Sequence, residues 1–137
     1  MKFFAIVILP KAVDPSNTAM VELAASELMQ PFKMWEDDIS EGEGHWDYHW
    51  CCTRDWMDQS ECDYSAYAIT PADQPLVIFQ VEHLSASGVT PAVISPTGEW
   101  YQSKATYAKE DHSWEPVCLT ICSSFPGHSA ILVYCHG

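Results

Sequence analysis

One stretch gathers most of the side chains that could do chemistry: His45-Trp46-Asp47-Tyr48-His49-Trp50-Cys51-Cys52-Thr53-Arg54-Asp55-Trp56. It holds three of the six tryptophans and the chain's only arginine. Aromatic faces stack on flat rings, and a guanidinium grips phosphate or carboxylate through two parallel hydrogen bonds. Arg54 is therefore a candidate grip for an anionic group, with Trp46, Tyr48 or Trp50 covering a ring and Asp47 beside them. The competing reading places the tryptophans in the core and pairs Arg54 with Asp47 or Asp55, because a buried guanidinium needs a partner.

The same residues offer hydrolytic chemistry. Asp47 with His45 and His49 could act as an acid–base set. Cys51, Cys52 or Cys135 could be a nucleophile with His49 or His136 as its base. Neither a strand-to-helix elbow nor a helix start after a cysteine is evident, so nothing local marks a catalytic thiol. Metal chemistry has thin support. His45 and His49 are four apart, as are Cys118 and Cys122, and Cys135 adjoins His136, but no Cys-x-x-Cys pair occurs. Those spacings serve zinc only where both segments are helical, so no metal and no cofactor is expected. The acidic loop over 36–47 lacks the alternation that an EF-hand needs.

The charge balance narrows the partners. Nineteen acids stand against six bases, a net charge of −13. Such a field repels nucleic-acid phosphates, so broad nucleic-acid binding is excluded. A small anionic or aromatic ligand in a local pocket, or a partner protein with a basic patch, stays compatible. A homo-oligomer is left open. No apolar run reaches the roughly 18 residues of a membrane span. The opening apolar run stops at Pro10-Lys11 and reads as a strand rather than an export signal. The expected location is a reducing cytoplasm, with the six cysteines as reduced thiols and no disulfides.

The elements that must position these groups can be read in outline. Residues 3–9 and 130–135 form apolar, β-branched runs that suit buried interior strands. Asp14-Pro15-Ser16-Asn17 offers helix-start chemistry. Met20, Ala24 and Leu28 recur every four residues, which predicts a helix over about 17–30 lying across both strands and ending near Pro31. Further strands are expected over 64–70 and 76–81, with a hairpin over 91–95 and 99–102 turning at Gly98. Residues 113–124 fit a helix or a strand. A length of 137 residues with no repeat or linker gives a single domain, 1–137. The expected fold is α+β, a mixed or mostly antiparallel sheet with one main helix on one face.

Three short islands resemble a loose set of small phage-encoded proteins. Those proteins carry a Trp-Asp-aromatic tripeptide followed by Gly-Gly-Arg-Trp, a Thr-Pro-Asp-Gly-x-Trp hairpin, and an apolar strand ending in Asp-Cys-His. The first island matches here at Trp46, Asp47, Tyr48 and Arg54, with Cys52-Thr53 in place of the glycines and Asp55 in place of the tryptophan. The second matches as Ser95-Pro96-Thr97-Gly98-Glu99-Trp100, and the third as Tyr134-Cys135-His136. The resemblance implies a viral or prophage origin and a shared fold, brings Trp100 into the candidate ligand set, and implies no reaction. The expected function is a phage accessory protein that binds without catalysis. It would sequester a small nucleotide-like signal or mask a host protein, with counter-defence as a setting. The alternative is a small hydrolase with an Asp/His or Cys/His site.

Overall fold

The computed structural model describes residues 2–34, 44–105 and 108–137. Most of the expected acidic loop lies outside the described residues. The two apolar runs pair with each other: β1 (Lys2–Ile8) runs antiparallel to β6 (Ser129–His136). Both are interior. On its other side β1 pairs in parallel with β4 (Ala92–Ile94), which turns through Gly98 into β5 (Trp100–Gln102). Gly98 has φ +90°, the left-handed conformation that favours glycine. Along the far side of β6 lie two short strands in tandem. β2 (Tyr48–Cys51) pairs with its C-terminal half, and β3 (Ile78–Gln80) with its N-terminal end. The result is a six-stranded mixed sheet in the order β2-β6-β1-β4-β5, with β3 sharing the β6 edge.

Both faces of this sheet are covered, which is why β1 and β6 read as nearly unbroken apolar runs. On one face Ala5, Val7, Leu9, Ile131 and Val133 meet α1 (Thr18–Met29). On the other, Ile6, Ile8, Val93 and Leu132 meet α3 (Trp114–Ser123) through Trp114, Cys118 and Cys122. The segment 113–124 is thus a helix. A third, short helix α2 (Arg54–Gln59) follows β2, its N-terminus capped by the Thr53 hydroxyl, which accepts from the Trp56 amide at 3.0 Å. A helix therefore does begin just after a cysteine, Cys52, where the sequence showed no such start. Two other expectations are corrected. Residues 64–70 form turns, with only Ile69 bridging to Phe79. The buried stripe of α1 is Val21, Ala25 and Met29, one position on from the predicted one, and Met20 is 45% exposed.

That phase shift has a measurable consequence. Met29→Ala is expected to cost about 2–5 kcal/mol, because the side chain is fully buried against the sheet. Met20→Ala should stay within about 0.5 kcal/mol of the parent. Urea unfolding of the two variants checks this, and equal losses would put the stripe back where periodicity placed it.

Candidate functional site

The start of the first motif island and the third meet at one end of the sheet. β2 begins where β6 ends, so Tyr48 faces His136 and His49 faces Cys135 in the ladder. Asp47 sits one step before, and its Oδ1 lies 2.7 Å from His136 Nδ1. This bond holds the Asp47 carboxyl below its usual range, as does, more weakly, the amide N–H of Tyr48. Alternation along the strands then divides the candidate residues between the two faces of the sheet.

On the α3 face the rings of Tyr48, Trp50, Trp56, Tyr134 and Phe4 pack on one another. Tyr48 is stacked on His136 (4.8 Å, 2°) and on Trp50 (5.7 Å, 9°). Trp50 and Phe4 each meet both Trp56 and Tyr134. Much of the flat area a nucleobase would need is thus occupied by neighbouring rings. The Trp50 indole N–H is shielded from solvent and has no partner among the described residues.

On the α1 face Trp46 is 4% exposed, and its indole N–H donates to the Met29 carbonyl at 2.8 Å. The His49 ring packs edge-on against Trp46 at 4.4 Å. Burial lowers the His49 pKa, with Lys33 adding to the effect. His49 is therefore on the opposite face from His136, and Asp47 is bonded to the latter. Trp100 stacks flat on His45 (4.4 Å, 8°) and packs against Phe3 and Phe32.

Arg54 stands apart from both groups. It opens α2, its Nη2 donates to the Ala72 carbonyl, and its backbone N–H donates to the Pro75 carbonyl at 2.9 Å. Its Nε is shielded and unpartnered, and no ion pair joins it to Asp47 or Asp55 among the described residues. The cysteines are all free thiols. Burial pushes the Cys51 and Cys135 thiols up to about 12 and raises Cys52 as well, so the candidate nucleophiles are held in their unreactive form. Cys118 and Cys122 are on the buried face of α3, with Cys122 hydrogen-bonded to Cys118. Among the described residues no group of three or more His, Cys, Asp or Glu side chains could hold a metal ion. No helix among them is long and apolar enough to cross a membrane.

The feature that sequence reasoning missed is a groove of about 1010 Å³ across this end of the sheet, from the α1 side to the α3 side. Phe3, Met34, Val89, Pro91, Ala92 and Trp114 supply its apolar wall, and Lys2, His45, Thr90, Gln102 and Ser103 its polar points. Several of these are already engaged. Thr90 donates its hydroxyl to the Ala92 carbonyl, and Trp114 donates to the Thr90 carbonyl. The Gln102 amide oxygen accepts from Trp100, which leaves its amino group as a donor. His45 is biased toward the neutral form by burial. Such a groove, mostly apolar with a few convergent polar groups and at the upper end of the roughly 300–1,000 Å³ range, suits a small molecule. No family model matches the chain, and neither a curated protein nor a solved structure is similar enough to count as a match.

Proposed function

We propose that the chain is a phage or prophage accessory protein that binds without catalysis, sequestering a small nucleotide-like molecule, with counter-defence as its setting. The phage setting rests on the resemblance alone. The binding reading rests on the groove across the sheet end, lined by His45, on which Trp100 stacks. Catalytic signals are weaker beside it, because the candidate thiols are buried and held protonated.

One observation favours a second reading, a small hydrolase. The Asp47–His136 bond fixes the imidazole by its Nδ1 and leaves Nε2 as the basic atom, the arrangement of a general base with its orienting carboxylate. No thiol serves it, since Cys135 points to the other face, so it would act on water. Incubation with a panel of nucleotides followed by chromatography separates the two. Co-elution of an unchanged nucleotide with the protein is the expected result. Conversion that disappears in His136→Ala would establish the hydrolase, and neither binding nor conversion would remove both.

A further inference from the structure

From the charges around the groove, and resting on its reading as a binding site, we infer that the ligand carries a single negative charge on a flat, largely apolar body. The chain as a whole is strongly acidic, with 19 carboxylates and a net charge of −13. Yet no carboxylate side chain lines the groove among the described residues, and Lys2 is its one cation. No hydrogen bond or ion pair joins the Lys2 ammonium to a described residue, which leaves it available to a ligand. The Gln102 amino group, the Ser103 hydroxyl and the His45 ring N–H are neutral donors beside it. One ammonium among neutral donors balances one anionic charge. A di- or triphosphate needs more, either several Arg/Lys donors or a divalent cation held by carboxylates, and the described lining offers neither set.

The long-range field acts in the same direction. Each extra negative charge on a ligand meets the repulsion of the whole acidic chain, and a single lysine offsets that locally for one charge only. The body of the ligand follows from the walls. Phe3, Trp114 and His45 are the aromatic residues of the lining, and aromatic walls suit a flat ring better than a hydrated chain.

The test is a titration series followed by tryptophan fluorescence: adenosine, cyclic AMP, AMP, ADP and ATP, with the guanine series in parallel, at low and high salt. Cyclic AMP or cyclic GMP is expected to bind about tenfold more tightly than its neutral nucleoside. Affinity should then fall as phosphates are added, and high salt should narrow the differences. Lys2→Gln, at an exposed strand start and checked by its melting curve, should abolish the advantage over the nucleoside. Triphosphates binding more tightly than cyclic monophosphates, or a ratio unchanged in Lys2→Gln, would overturn this inference and leave the binder standing. Binding of no member of either series would take down the binding reading itself, and this inference with it.

Discussion

Trp46→Ala is expected to destabilise the fold by about 3–5 kcal/mol and to lower the melting temperature by on the order of 10 °C. Two losses add. The indole fills the core between α1 and β2, where it is 4% exposed. Its N–H is also the partner of the buried Met29 carbonyl near the end of α1, which would be left unsatisfied at a cost of about 1–3 kcal/mol. Trp46→Phe isolates the second loss, since it keeps most of the apolar volume. The backbone of Trp46 ties the same region together, exchanging bonds with Phe32 and Met34. Thermal melts of both variants decide the matter. A parent-like melt for Trp46→Ala would mean that this side chain is spare for ligand contact, as the sequence alone allowed.

Arg54→Ala is expected to lower stability by about 1–2 kcal/mol, below the upper range for a charge-assisted hydrogen bond because the side chain is only half-buried. The cause is loss of the Nη2 bond to the Ala72 carbonyl, which fastens the 71–75 segment to the start of α2. A single carbonyl needs a single donor, so Arg54→Lys should keep part of that stability. A grip on an anionic ligand demands the reverse, a large affinity loss in Arg54→Lys with an unchanged melt, because the fork is lost and the charge kept. Melting curves and nucleotide titrations on the same two variants discriminate the roles. Lost binding at parent stability would return Arg54 to the ligand site.

The parts of the fold legible in the sequence are those where one residue type dominates both faces. β1 and β6 are buried on two sides, so composition alone marks them, and the hairpin turning at Gly98 declares itself through its turn residues. The phase of α1 was not legible. Met20, Val21, Ala24, Ala25, Leu28 and Met29 form two adjacent apolar rows, and periodicity does not choose between them. β2 hid because its alternate side chains are aromatic on one face and His or Cys on the other, so no polar side marks it as a strand. Residues 64–70 misled in the opposite way. Tyr64 and Tyr67 pack into the core from turns, and the Tyr67 hydroxyl donates to the Gly88 carbonyl with no ladder involved.

Of the candidate site, the clustering of chemistry around 45–56 was visible, but its partition was not. Asp47 meets His136 across a separation of 89 residues, which no local spacing reveals. Once β2 is a strand, His49 must face away from Tyr48 and Trp50, and the presumed acid–base set falls apart by alternation alone. The groove was illegible because its walls come from the ends of three strands and the loops beside them.

The tandem placement of β2 and β3 along β6 bears on how the chain reaches this structure. β6 supplies ladder bonds to three strands, and it and its partner β1 lie at opposite ends of the described chain. Topologies dominated by such distant pairings close slowly, because the loop must form before the contacts reward it. Until Ser129–His136 has been made, β2 and β3 have no strand to lie against, and a fragment stopping short of it is expected to collapse without a stable sheet. During synthesis β1 therefore waits for β6, its edge, uncharged beyond Lys2, open to neighbouring chains until β6 arrives to cover it.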